Sequence, residues 1–259
     1  MVLPDGRKVA HLNRGETDSL YQEIFVDRVY TPRGFPVLPP EPTIFDVGAN
    51  IGLFSLFALD EWASARVYAF EPIPEIFVVL RDNLRQHPGA TAIPTALGAA
   101  SGTVTARYYP RYTMMSGLHA DPDQDRAIVK RYMTNTAEGL ADPAERAALT
   151  GAADALLATR FEPVMVECTV ETVAQAASRL GADRIDLLKV DAERAELDVL
   201  RGVGEELWPR VGNVVVEAED GAGQVAAITD LLARQGLRAS VIQVPEFRGT
   251  ALHMIYASR

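Results

Sequence analysis

The chain has 259 residues, 48% of them hydrophobic and 23% charged, with a formal net charge of -10 and a pI near 4.9. That apolar content can bury a sizeable core as one large domain, while the acidic balance and the lack of a basic patch argue against a nucleic-acid surface, which would repel a phosphate backbone. A single cysteine, Cys168, excludes an internal disulfide, fits a reducing cytoplasm and reads as a small buried hydrophobe.

Residues 2–12 alternate about a Pro4-Asp5-Gly6 turn, which predicts a short hairpin. Asp5, Arg7 and Lys8 are followed by no apolar run, and no stretch approaches a membrane span, so neither a secretory leader nor a membrane anchor is expected. Glu16, Thr17 and Asp18 open a stretch in which Leu20, Ile24, Val26 and Val29 recur at helical spacing. Pro32, Gly34, Pro36, Pro39, Pro40 and Pro42 then break the pattern, so residues 1–42 read as an N-terminal extension and linker and 43–259 as the main domain.

From Thr43 the rhythm becomes apolar strand, turn and helix. Strands are expected at 43–47, 66–70, 91–95, 185–190 and 212–217, and helices at 52–62, 74–86, 171–180, 193–201 and 222–235. Short apolar strands alternating with helices imply a parallel sheet covered on both faces. Two closing runs, 237–244 and 251–257, have a connection too short for a parallel crossover, which predicts an antiparallel hairpin at one sheet edge. Between the third and fourth strands the rhythm fails over 107–162, which holds Tyr108, Tyr109, Tyr112, Met114 and Met115 and then charged and Ala-rich helical stretches. An insertion of that size reads as a lid, and its Tyr and Met side chains suit an apolar pocket wall.

Residues 44–55 carry the first chemical signal. A nucleotide lying against the carboxyl end of the first strand needs backbone without Cβ atoms, which Gly48 and Gly52 supply. The dinucleotide spacing Gly-Xaa-Gly-Xaa-Xaa-Gly is absent, because Asn50 stands between the two glycines. Asp46, just before the turn, would repel a pyrophosphate and suit the cationic amino group of a methionine moiety, which favours S-adenosylmethionine. Glu71 ends the run Val67-Tyr68-Ala69-Phe70 nineteen residues beyond Gly52, where a carboxylate accepts from ribose hydroxyls. Ala96 and Leu97 end the third strand and are placed to flank an adenine, while Asn83 reads as a solvent-facing helix residue.

A second signal lies at Ile185-Asp186-Leu187-Leu188-Lys189-Val190-Asp191. The strand delivers Asp191 to its carboxyl end, beside the crevice where open α/β sheets bind ligands, and Asp191 is the first candidate for a group at the reacting atom. Glu193 and Glu196 follow, Glu196 reading as a helix-cap carboxylate. Lys189 in an apolar strand reads equally as a structural ion pair or a substrate contact. Glu217 ends the fifth strand at the same height, and Asp191 and Glu217 could together hold a divalent cation or serve as base and hydrogen-bond partner. His119, in the insertion, is a third catalytic candidate; His11, His87 and His253 lie in positions with no inferred geometry.

Phe45-Asp46-Val47-Gly48-Ala49-Asn50-Ile51-Gly52, Phe70-Glu71-Pro72 and Asp186-Leu187-Leu188-Lys189-Val190-Asp191-Ala192-Glu193 ahead of Arg194-Ala195-Glu196-Leu197 together resemble the FkbM family of S-adenosylmethionine-dependent methyltransferases, over about Ile44 to Tyr256. The resemblance implies an α/β fold: a seven-stranded Rossmann-like class I methyltransferase sheet, mostly parallel with a C-terminal antiparallel hairpin. It implies O-methylation as the commonest activity, often on sugars, polyketides or other secondary metabolites. Family members generally have glycine where this chain has Arg194, which bears on how closely backbone can approach there. His11-Leu12-Asn13-Arg14-Gly15-Glu16-Thr17 looks like an extension of the biosynthetic branch, so the implied acceptor is a natural-product intermediate, free or bound to a carrier protein. A nicotinamide-dependent oxidoreductase, disfavoured by Asn50 and Asp46, and a non-catalytic cofactor-binding domain remain as alternatives.

Overall fold

The computed structural model describes residues 1–139, 141–221 and 223–259, with the side chains of all of these except 148–150, 152 and 154. Helix α1 (Arg14–Tyr21) is capped by Asn13, whose side chain accepts from the N–H groups of Gly15 and Glu16, and it runs into one wide π-helical turn over Gln22–Val26. The main domain follows with β1 (Thr43–Val47), α2 (Leu53–Glu61), β2 (Arg66–Phe70), α3 (Pro74–Leu84) and β3 (Ala90–Ile93). Next come β4 (Ala96–Leu97), β5 (Gly102–Tyr108), α4 (Pro122–Gly139), α5 (Pro143–Leu157) and β6 (Val164–Glu171). The chain ends with α6 (Val173–Leu180), β7 (Ile185–Val190), α7 (Glu196–Arg201), β8 (Val211–Glu219), α8 (Gln224–Arg234), β9 (Arg238–Ile242) and β10 (Leu252–Ser258).

The seven-stranded sheet has the order β3-β2-β1-β7-β8-β10-β9. β1 pairs parallel with β2 and with β7, and β7 with β8, whereas β10 is antiparallel to both β8 and β9. Chain order therefore reverses direction between β1 and β7, and the crevice at their carboxyl ends is where such sheets bind ligands. All five residues of β1 are buried, as a strand covered on both faces requires. Phe45, Val47, Leu188 and Val216 face a core with Val199, Trp208 and Leu232. Ile44, Leu187 and Val215 face the opposite core, which holds Phe54 and Phe57 of α2 and also Ile24, Tyr30 and Leu38 from the N-terminal segment.

Several expectations change. Residues 1–9 make the expected turn as a minimal antiparallel pairing, a single bridge of Val2 to Lys8 flanked by N–H bonds from Leu3 to Arg7 and from Val9 to Met1, without extended strands. A second, three-stranded sheet in the order β4-β6-β5 was not foreseen. β5 and β6 pair antiparallel from Gly102 with Val170 to Tyr108 with Val164 across the whole insertion, and each keeps one face exposed, so their sequences mix Thr, Arg and Glu with apolar residues. The helix expected from residue 193 starts at Glu196, because Glu193 and Arg194 take left-handed φ of 49° and 73°. Residue 222, the expected start of the last helix, lies outside the described residues, and α8 begins at Gln224. Asn83 is no solvent-facing residue: its Nδ2 donates to the carbonyls of Ala10 and Ile51, and its Oδ1 accepts from the Ala10 N–H, fastening the N-terminal segment to α3. Among the described residues no helix is long and apolar enough to cross a membrane.

Candidate functional site

β1 and β7 end against one another. A Cβ on Gly48, whose φ is +72°, would lie 1.7 Å from the Asp191 carbonyl oxygen, so only glycine allows this approach. The turn continues through Asn50, also left-handed at φ 48°, whose N–H donates to Oε2 of Glu71 over 3.1 Å. The other Glu71 oxygen accepts from the Ile73 N–H at 2.9 Å, so one carboxylate at the end of β2 pins the glycine turn to the start of α3. Burial pushes the Glu71 carboxyl up to about 7, against the pull of those two N–H groups. Gly48, Asn50, Glu71, Ala96 and Leu97 line one wall of a cavity with about 1190 Å³ of empty space, counting its open mouth. That wall offers bare backbone, a carboxyl and two small apolar side chains, a setting for a nucleoside.

The opposite wall is acidic. Asp191 at the end of β7 and Glu217 in β8 both face the cavity, joined by Glu193 and by Glu23 from the N-terminal segment. Oη of Tyr30 lies 3.0 Å from Oδ2 of Asp191 and 2.9 Å from Oε2 of Glu217. Tyr30 is 3% exposed, and Lys189 Nζ sits 5.2 Å above its ring. Burial and then the Asp191 and Glu23 charges hold the Glu217 carboxyl well above the ordinary glutamate range; burial and Asp191 bring Glu23 to about 7. The roof comes from the insertion, with Tyr112, Met114, Met115, Ile128 and Tyr132, from Phe247 in the loop after β9 and from Leu252 at the start of β10.

Lys189 resolves as a structural ion pair. Its Nζ lies 3.2 Å from Asp46 Oδ1 and 3.4 Å from Asp191 Oδ2, and it donates to the Gly48 carbonyl at 2.9 Å. Burial alone would depress this ammonium, but Asp46 and Asp191 more than offset that and raise it. Asp46 is fully buried between Lys189 and the Ser55 hydroxyl and does not line the cavity, so the structure gives its carboxylate a scaffold role in place of the expected contact with a cationic ligand. Gly52 does not line the cavity; it is the left-handed N-cap of α2, packed against Leu80 and Leu84 of α3. His119 is exposed and outside the cavity, and only its carbonyl is engaged, by Arg194; none of the four histidines lines the cavity. Glu196, in the first turn of α7, accepts from the N–H groups of Ala192 and Arg194 and from Gln224, so it fastens the turn ahead of the helix where a helix cap was expected. Cys168 is 3% exposed in β6, its thiol pushed up to about 11 by burial.

Among the described residues no group of three or more His, Cys, Asp or Glu side chains is arranged to hold a metal ion. Between Asp191 and Glu217, the place a shared cation would take, stands the Tyr30 hydroxyl. Tyr30 and Glu23 are cavity-lining polar residues that the sequence alone did not reveal. They lie within a stretch read as extension and linker, and nothing local marks a tyrosine that meets carboxyls 161 and 187 residues away.

The chain matches the methyltransferase FkbM domain over residues 46–239. It is 40% identical to the AMB antimetabolite synthetase AmbE of Pseudomonas aeruginosa over 99% of this chain, which spans 12% of that protein's length. To the 31-O-demethyl-FK506 methyltransferase FkbM of Streptomyces tacrolimicus it is 36% identical, across 99% of this chain and 95% of the relative. The crystal structure of a methyltransferase FkbM from Methylobacillus flagellatus shares the fold with a TM-score of 0.53 at 13% identity, covering 88% of this chain and 46% of that one.

Proposed function

The chain belongs to the FkbM methyltransferase family, and from that premise we propose that it transfers a methyl group from S-adenosylmethionine to a hydroxyl of a natural-product intermediate. The observation that carries this reading is the meeting of β1 and β7, which sets the Gly48 turn and Asp191 at van der Waals contact on one cavity. The residues present fit the cofactor. Backbone without a side chain at Gly48 admits a close approach, the Glu71 carboxyl faces the space where a ribose diol would donate, and Ala96 and Leu97 offer a flat apolar wall.

When bound, S-adenosylmethionine supplies an electrophilic methyl: a C–O bond forms to the acceptor oxygen as the C–S bond breaks, its electron pair staying on sulfur, and the hydroxyl proton needs a base. This chain's contribution is placement and that base. Asp191 uses Oδ2 toward Tyr30 and Lys189, and no described residue hydrogen bonds to Oδ1, which is left for the acceptor hydroxyl. The Met, Tyr and Phe roof excludes water and suits an acceptor with an apolar body.

Relatives support the substrate class: one is named for an antimetabolite synthetase and one for demethyl-FK506. Either a free metabolite or an intermediate tethered to a carrier protein is consistent with them, since this chain matches a small part of the first and nearly all of the second. The acidic field and the concave cavity favour a small molecule over nucleic acid.

Isothermal titration tests the cofactor. S-adenosylmethionine should bind and NAD should not; NAD binding without S-adenosylmethionine binding would return the oxidoreductase reading. With an acceptor in hand, Asp191→Asn should lower kcat by about 100-fold or more, and a loss below about tenfold would remove Asp191 from the role.

A further inference from the structure

Tyr30 carries one hydroxyl proton, yet its Oη lies at hydrogen-bond distance from two carboxyl groups. If both Asp191 and Glu217 were ionised, only one of those contacts could be a hydrogen bond. The other would press a lone pair against a carboxylate at about 3 Å inside a desolvated wall. Both contacts are satisfied only when one carboxyl is a neutral acid that donates to Oη while Tyr30 donates to the other.

The surroundings decide which is which. Lys189 Nζ stands 3.4 Å from Asp191 Oδ2, whereas Glu217 forms no ion pair among the described residues. The groups packed around the pair are Asp46 from β1, Lys189 from β7, Glu193 and Arg194 from the turn after β7, Glu196 from α7, Glu219 from β8, Tyr256 from β10, and Glu23 and Asp27 from the N-terminal segment. Of the two cations in that set, Arg194 pairs with Asp125 and Glu219, whereas Lys189 lies against Asp46 and Asp191. Tyr30 itself keeps its proton, since burial and then the charges of Asp191 and Glu217 raise its phenol well above the ordinary value.

We propose that Tyr30 is a positioning residue that holds one proton between two carboxyls, ordering them as neutral Glu217 donating to Tyr30 and Tyr30 donating to ionised Asp191. The segment read as an extension thereby prepares the base of the site. That Asp191 then takes the acceptor's proton rests on the methyl-transfer reading; the proton order itself does not. The geometry supports it independently, because Tyr30 is locked by its burial against Phe54, 5.4 Å between ring centroids, and by the neighbouring Val29 carbonyl, which accepts from the Tyr256 hydroxyl.

The test is a titration of the full chain labelled with 13C at Asp and Glu carboxyl carbons, with the two resonances assigned from Asp191→Asn and Glu217→Gln. At neutral pH, Glu217 should show the shift of a neutral acid and Asp191 that of a carboxylate. Tyr30→Phe removes both the donor to Asp191 and the acceptor of the Glu217 proton, and should displace both carboxyl resonances at neutral pH. Both groups ionised at neutral pH in the unaltered chain would overturn the proposal, as would unmoved carboxyl resonances in a folded Tyr30→Phe chain. If that variant does not fold, the titration of the unaltered chain decides alone. No cofactor or acceptor is needed, so failure here and failure of S-adenosylmethionine to bind are separate results.

Discussion

At the scale of single residues, the site depends on what is missing as much as on what is present. Gly48 has both a left-handed φ of +72° and a neighbouring carbonyl where its Cβ would stand. Gly48→Ala should therefore destabilise the chain by more than about 2 kcal/mol, read from denaturant unfolding, because strain and steric clash add. A variant of unchanged stability would mean that β1 and β7 do not meet this closely. The glycine was legible in the sequence, and so were Glu71, Asp191 and Glu217, because each ends an apolar strand at a predictable height. The role of Asp46 was not legible. Its charge suggested a ligand contact, but the nearest cation in the fold is the chain's own Lys189, two residues before Asp191 on a different strand.

At the scale of elements, Arg194 joins pieces that share no sequence neighbourhood. Its guanidinium pairs with Asp125 of α4 and Glu219 of β8 and donates to the His119 carbonyl, so the turn after β7 holds the insertion over the sheet. Arg194 sits at φ 73°, where glycine would be unstrained. Arg194→Gly relieves about 1–2 kcal/mol of backbone strain but leaves two buried carboxylates without their cation, a loss of about 3–5 kcal/mol. The pairing wins, and the variant should be less stable by about 2 kcal/mol, with faster amide hydrogen exchange in α4. A more stable Arg194→Gly chain would show that the ion pairs contribute little. The insertion was legible as a break in rhythm, and its Tyr and Met side chains do reach the cavity. Its flanking strands β5 and β6 were not, since half-exposed strands that pair across the whole insertion lack the continuous apolar run of the central sheet.

At the scale of the whole molecule, the acid excess has a thermodynamic consequence. Burial raises Glu23, Glu71 and Glu219 to about 7 and Glu196 to about 8, from an ordinary 4.5. Between those values the folded chain binds more protons than the unfolded one. Stability from these groups is fully present below about 4.5 and is lost as pH rises through 7 to 8. The melting temperature should fall from about pH 5 to about pH 8. A melting temperature that rises across that window would mean that these carboxyls are ionised in the folded chain.

The sequence by itself determined the strand and helix rhythm, the glycine turn and the carboxyls at the strand ends, because burial on both faces and a tight turn constrain neighbouring residues in the chain. Only the tertiary structure decided how those carboxyls are used. Tyr30, Lys189 and Arg194 act through charges and hydrogen bonds brought from distant segments, and a proton shared by Asp191 and Glu217 is a property of their separation in space, which no local pattern encodes.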